Sequence, residues 1–379
     1  MLRSSSTFVR CRLAKTHFSG QLRGQGFPKT LYLSCVSKFL RIKGPIVTQL
    51  ISLTGIKPTN LPHLGNYLGA IKPAIDMTNQ AEHTKGFYFI ADYHSLTSVH
   101  KASDLRQYIY EIAAAWLALG LDPSKVTLYQ QSHIPEVMEF NWILSCFTAK
   151  GLMNRAHAYK ALTQDNENHQ RDIDQGVNMG LYTYPVLMAA DILFLKADLV
   201  PVGADQVQHI EIARDIAMAF NHHYGEIFKL PKAFVNENAA VIPGLDGRKM
   251  SKSYNNHIPI FMPAKQMQKM INRIKTDSTP PEAPKDPNDS LIFQLYSKFA
   301  QEKQVLEMRE RYAKGISWGE AKAELFSAID THLSGPREIY DELMADKTKI
   351  DRILEEGAEK VRPLASSFLK EVKVAIGVK

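Results

Sequence analysis

Two segments of this chain carry residue types suited to gripping phosphate. In one, Gly244 and Gly247 open a stretch that presents Lys249, Ser251, Lys252 and Ser253. Ammonium groups and hydroxyls on a glycine-opened loop offer charge and hydrogen-bond donors to an anion. Far upstream, Gly55, Lys57, Pro58, Thr59, His63, Gly65 and Asn66 follow one another in a Gly/Pro loop. Gly55 and Gly65 lack a Cβ, so backbone there can approach a ligand closely. Asn66 reads as the start of a helix, whose free N–H groups and positive end make an anion site. His63 can donate to a phosphate oxygen as negative charge shifts. Either loop alone reads as an ordinary turn.

The elements that must position these loops follow from apolar patterning. Residues 46–54 are β-branched and apolar and break at Gly55, as a buried strand entering a loop does. Residues 65–77 read as a helix, 86–91 as a second strand ending at Asp92 and His94, and 126–130 as a third strand. Between them, a helix over 104–119 is expected to be capped by Ser103 and closed by Gly120 and Pro123, and 140–147 reads as another helix. Strand, loop and helix alternate, which predicts an α/β fold: a Rossmann-like, doubly wound parallel sheet with ligands at the carboxyl ends of its strands. Residues 163–177 are polar and read as a mobile surface loop. The acidic, proline-rich stretch 276–290 reads as a linker. Helical periods then occupy 290–300, 302–313, 318–333, 336–346 and 349–375, so a C-terminal all-helical domain is expected. The predicted division is a basic extension over 1–45, a catalytic domain over 46–260 and a helical domain over 261–379.

The 379 residues carry a net charge of +7, but residues 1–43 hold nine Lys/Arg and no acid. Removing them leaves 46 − 9 = 37 bases against 39 acids, a nearly neutral body, so any nucleic-acid surface must be a local patch. The acid-free head has the composition of a mitochondrial presequence; its rival reading is leader sequence upstream of the true start. Three cysteines are too few for a disulfide framework, and no Cys/His spacing suits zinc, so no metal site is expected. Cys146, in an apolar run, reads as core. No apolar run reaches the length of a membrane span.

Together the two loops resemble the paired signatures of the class I aminoacyl-tRNA synthetases. Asn66, where the first signature would carry a second histidine, is the pattern of the tryptophanyl and tyrosyl branch. Between the loops, Pro185 is expected to start a helix in which Asp191 stands among apolar neighbours. A carboxylate buried there needs a partner, and a donor-only indole N–H would suit it. The segment is similar to the amino-acid-binding helix of bacterial-type tryptophanyl-tRNA synthetases, and the resemblance spans about residues 54–379.

That resemblance implies ATP contacts at Lys57, Pro58, Thr59, Gly65, Asn66, Gly203, Ala204, Asp205, Ile242, Lys249, Met250, Ser251, Lys252 and Ser253. It implies a catalytic set of His63, Lys249, Lys252, Ser251 and Ser253. It also implies an amino-acid pocket in which Asp191 accepts the indole N–H and Met188 packs on the ring. Tyr184 and Gln206 would line the α-amino end, with His94 nearby. His209, Glu211 and Arg214 are expected to be surface helix pairs. The implied reaction is ATP-driven formation of tryptophanyl-adenylate and transfer to tRNA(Trp), with Mg²⁺ carried on the ATP phosphates. A homodimer is expected, with 142–153 as its surface, in the cytoplasm, or in the mitochondrial matrix if 1–45 is a presequence. The rival functions are a tyrosine–tRNA ligase, a free-standing nucleotidylyltransferase and a non-catalytic RNA-binding paralogue.

Overall fold

Apolar and β-branched runs become the strands of one parallel sheet, seen in a computed structural model that describes residues 49–80, 84–235 and 242–379. The described residues begin with β1 (Leu50–Ile56), then α1 (Leu64–Asn66), which widens into a π-helical turn at Tyr67–Ile71 and continues as α2 (Lys72–Gln80). Next come β2 (Thr84–Ile90), α3 (Asp92–Ser95), α4 (Ala102–Ala118), β3 (Thr127–Gln130), α5 (Glu136–Ser145), α6 (Lys150–Met153) and α7 (His157–Asn168). The second half of the sheet is built from α8 (Met179–Phe194), β4 (Leu199–Pro201), α9 (Val207–Tyr224) and β5 (Lys232–Phe234). After it the named elements are helices: α10 (Ala264–Ile271), α11 (Leu291–Tyr296), α12 (Glu302–Lys314), α13 (Trp318–Ala345) and α14 (Thr348–Ala375).

The strand order is β3-β2-β1-β4-β5, all parallel. The chain winds outward from β1 to β3, then crosses back to lay β4 and β5 on the other side. The reversal falls between β1 and β4, where a doubly wound sheet opens a crevice at its carboxyl edge. Both faces are covered. Tyr88, Ile90 and Leu128 point into one core with α4 and α13, while Leu53, Phe87, Phe89 and Tyr129 point into the other with α5, α8, α9 and α14. Successive side chains of a strand alternate between faces, so β2 reads as an unbroken apolar run because both of its faces are buried.

The helical tail is part of this packing. α14 lies along edge strand β3 so closely that a Cβ at Gly357 would sit 1.8 Å from the Leu128 carbonyl oxygen. A covered edge cannot pair with another chain.

Several expectations need correction. Lys101, not Ser103, occupies the cap position of α4, and the Ser103 hydroxyl donates to Asp104 instead. Residues 318–345 form one helix through Pro336, because Leu325, Ile329, Leu333, Tyr340 and Leu343 bury a common face. That burial outweighs the ~3 kcal/mol an interior proline costs. The first part of the stretch 163–177, up to Asn168, belongs to α7, and the buried Asn166 amide donates to the carbonyls of Ile173 and Gln175, pinning the turn that follows. Cys146 is exposed, since it follows the last turn of α5 on the solvent side. Residues 1–45, including the two other cysteines, lie outside the described residues. Among those described, no helix is long and apolar enough to cross a membrane.

Candidate active site

The two phosphate-type loops meet. The first leaves β1 and the second follows Ile242, and they touch at Gly65, whose N–H lies 3.2 Å from the Met250 sulfur. A Cβ at Gly65 would come within 2.9 Å of His63 Nδ1 and 3.2 Å of Met250 Cβ, so glycine is needed for loop-to-loop packing. The strand-like segment beyond the second loop runs beside the first: Leu64 N–H donates to the Ile258 carbonyl and Ile260 N–H to that of Pro62.

His63, expected in the loop, is the cap of α1, and the helix begins two residues earlier than Asn66. Asn66 N–H donates to His63 Nδ1 and His63 N–H to Asn66 Oδ1, both at 3.2 Å, in a reciprocal capping box. Because Nδ1 accepts, the neutral ring carries its proton on Nε2, where it is a donor. Burial, then the positive charges of Lys252 and His257, push the His63 pKa down to about 4. The lysine of one loop is therefore felt by the histidine of the other. Lys57 donates to Thr97 Oγ1 at 2.7 Å and its pKa is lowered by burial, while Ser95 donates to the Pro58 carbonyl, so the two residues are tied to the end of α3 and the turn after it. Thr59 is exposed beside them. Gly55 has a packing reason: a Cβ there would strike the Phe89 ring at 2.5 Å.

The second loop is a tight turn closed by Gly244 N–H to the Arg248 carbonyl and Met250 N–H to that of buried Ile242. Gly247 takes a φ of +86°, a conformation that favours glycine. Gly244 meets a different demand, because its Cβ would lie 2.4 Å from the Asn256 side chain. Buried Asn256 organises the loop. Its Oδ1 accepts from Ser251 N–H at 2.8 Å, and its Nδ2 donates to Asp246 Oδ1 at 2.7 Å and to the Lys249 carbonyl at 3.1 Å. Those contacts, with Asn256 first and Arg248 after it, hold the Asp246 pKa down to about 2. Lys249 projects into solvent, and Ser253 lies in the short turn Lys252–Tyr254. Burial lowers the Lys252 pKa, opposed by the charge of Glu111 on α4.

On the other side of the crevice, α8 starts at Met179 with Asn178 as its cap, and Pro185 is internal to it. Asn178 supplies the capping acceptor that proline cannot, which is why the helix extends upstream. Asp191 is 1% exposed on this helix. Gln131 Nε2 donates to both of its carboxylate oxygens at 2.9 Å, and His94 Nε2 lies 2.9 Å from Oδ2. Burial raises the Asp191 pKa and the His94 and Gln131 contacts oppose it. Counting lone pairs, these contacts leave Oδ1 able to accept one more bond. Met188 is half-buried one turn before Asp191, and the Tyr184 ring stands edge-on to His94 at 6.2 Å. At the carboxyl end of β4, Gly203 caps the turn Ala204–Gln206 that holds Ala204, Asp205 and Gln206. Among the described residues no group of three or more His, Cys, Asp or Glu could hold a metal ion.

The model of the family "tRNA synthetases class I (W and Y)" matches residues 48–334. The chain belongs to that family. It is 51% identical over 328 residues to the tryptophan–tRNA ligase of Neisseria meningitidis, covering 86% of this chain and 97% of that one. The tryptophan–tRNA ligase of Pseudomonas aeruginosa is 52% identical over 330 residues, 86% of this chain and 73% of the relative. Among solved structures, the tryptophanyl-tRNA synthetase of Campylobacter jejuni, crystallised with ADP and tryptophan, superposes with a TM-score of 0.79. That structure is 43% identical, over 86% of this chain and 100% of that chain.

Three residues of this candidate site escape sequence reasoning. Gln131 follows β3, and only its place at a strand's carboxyl end hints at it. His209 is expected on the surface with Glu211 and Arg214. Those two do pair on the outside, but His209 is 2% exposed because α9 turns that face onto α8. Its spacing of three from Gln206 on a helical start is the available signal. Asn256 carries no local signal at all.

Proposed function

We propose that this chain is a tryptophan–tRNA ligase that activates L-tryptophan with ATP and transfers it to tRNA(Trp). The observation that carries this is the contact of the two signature loops at Gly65 and Met250, with His63 in the field of Lys252. The tryptophan carboxylate attacks the α-phosphate, the bond to the β-phosphate breaks, and pyrophosphate departs with the charge. Lys249 and Lys252 reach that leaving group, Ser251 and Ser253 donate to it, and His63 Nε2–H is set to donate to a phosphate oxygen. Preorganised donors of this kind are worth roughly 3–4 kcal/mol each to the transition state. Lys57, Pro58, Thr59, Asn66 and Met250 line the ATP side in this reading, with Gly203, Ala204, Asp205 and Ile242 toward the adenosine. Mg²⁺ enters as the counter-ion of the ATP phosphates.

The remaining acceptor on Asp191 takes the indole N–H, Met188 packs on the ring, and Tyr184, Gln206 and His94 complete the pocket. The helical residues 261–379 present a surface to the anticodon arm; equal charging of tRNA(Trp) with a substituted anticodon would remove that assignment. A second copy of the chain is assigned to the face carrying Trp142, which is 72% exposed over a groove of about 550 Å³ shared with Met138, Cys146 and Val378. A monomeric sedimentation coefficient would exclude it. The compartment we assign is the cytoplasm, after the bacterial relatives; cleavage near residue 45 in the natural protein would point to the mitochondrial matrix.

Exchange of labelled pyrophosphate into ATP tests the whole. Tryptophan should drive it and tyrosine should not. Tyrosine-driven exchange would overturn the specificity, and no exchange with any amino acid would favour an RNA-binding role.

A further inference from the structure

Behind the expected α-amino end of the pocket lies a half-buried side-chain relay centred on buried His209. His209 Nδ1 is 2.8 Å from Gln206 Oε1, and His209 Nε2 is 2.6 Å from the Tyr184 hydroxyl. Tyr184 comes from α8, Gln206 from the turn after β4, and His209 from the first turn of α9. We propose that His209 is a positioning residue that fixes Tyr184 and Gln206 for the α-ammonium group of the amino-acid substrate, an inference that rests on the tryptophan-activating reading above.

The relay has a direction. An amide oxygen only accepts, so His209 Nδ1 carries the proton it donates to Gln206. In the neutral ring Nε2 then has a lone pair, and the hydroxyl of Tyr184 must donate to it. Burial raises the Tyr184 pKa, which keeps that proton in place. A phenol has one proton, so once it is committed to His209 the Tyr184 oxygen can offer only lone pairs elsewhere. An ammonium group has only donors, so an oxygen held in this state matches it. Without His209 the hydroxyl could rotate and aim its own proton at the cation.

The packing supports the same assignment. The Tyr184 ring stands edge-on between two imidazoles, 5.2 Å from His209 and 6.2 Å from His94. His94 in turn contacts Asp191. One line of contacts thus joins the expected amino end of the substrate to its expected indole end, and His209 closes the line on the side away from Asp191. Both ring nitrogens of His209 are engaged, one by Tyr184 and one by Gln206, which separates it from the residues expected to touch the ligand.

The test compares His209→Ala, His209→Asn and His209→Gln in the full chain by tryptophan-dependent pyrophosphate exchange, alongside inhibition by indole-3-propionate. That probe keeps the indole and the carboxylate but lacks the ammonium. Wild-type exchange is measured first, and its absence would sink the tryptophan reading rather than this one. Losing a hydrogen bond to a charged group should raise the tryptophan KM on the order of 10- to 100-fold in His209→Ala. The ATP KM and the indole-3-propionate inhibition constant should stay near wild type. His209→Gln, whose amide oxygen can still accept from Tyr184, should recover part of the loss. If His209→Ala does not fold, His209→Asn carries the same test, because it keeps a donor toward Gln206 but cannot reach Tyr184. An unchanged tryptophan KM overturns the proposal. So does a parallel rise for tryptophan and indole-3-propionate, which would mean that His209 only supports the pocket as a whole.

Discussion

Replacing Asn256 with alanine should disable the second signature loop before it disturbs the fold. The side chain holds Ser251 N–H at 2.8 Å and the Lys249 carbonyl at 3.1 Å, on either side of Met250. Each neutral bond contributes about 1 kcal/mol net, and leaving the Ser251 N–H unsatisfied costs about 1 more, so the loop loses roughly 2–3 kcal/mol. The contact to Asp246 faces water and is left out of this sum. At about 1.4 kcal/mol per factor of ten, kcat for pyrophosphate exchange should fall roughly 30- to 150-fold. The melting temperature should hardly move, because Ile258 and Ile260, which anchor the segment in the core, are untouched. Steady-state exchange and calorimetry on the same preparation read both quantities. A kcat within about threefold of wild type would refute the reasoning, and would mean that bound ATP, not Asn256, orders the loop.

Asp191→Asn should raise the tryptophan KM about 100-fold with little change for ATP, since an amide donor would then face the Gln131 and His94 donors; an unchanged KM removes Asp191 from the pocket. Lys249→Ala and Lys252→Ala should each lower kcat on the order of a hundred- to a thousandfold, and full activity in both would retire the charge argument. His63 has a folded pKa of about 4 against an ordinary 6.5, so between those values the unfolded chain binds a proton that the folded chain refuses. Its contribution is complete above pH 6.5 and is lost as pH falls toward 4; melting curves of His63→Asn should therefore show a flatter acid limb, and identical limbs would exclude the effect. Gly357→Ala places a methyl 1.8 Å from the Leu128 oxygen and should destabilise by at least about 1–3 kcal/mol, which an unaltered melting temperature would contradict.

Much of this protein is legible in its residue order because the signals are local. A strand's apolar run, a helix's period and a glycine-opened loop are each written within a few residues. The alternation of strands and helices, and both signature loops, can therefore be read from the chain alone. His63, Lys252 and Asp191 declare themselves by type and neighbourhood. Pro185 and Pro336 mislead for the same reason: proline discourages a helix locally, and only distant packing shows that the helix continues through it.

What the chain determined by itself is therefore a list of parts: a doubly wound sheet, two anion-suited loops, and a carboxylate among apolar neighbours. Only the folded molecule decided which parts touch. Gln131 and Asp191 stand 60 positions apart and Gly65 and Met250 stand 185 apart, yet each pair is in contact. No local pattern encodes such partners, because burial and hydrogen-bond satisfaction belong to the whole packed core. The same physics turned His209 inward and left Cys146 outside, the reverse of what their immediate neighbours suggested.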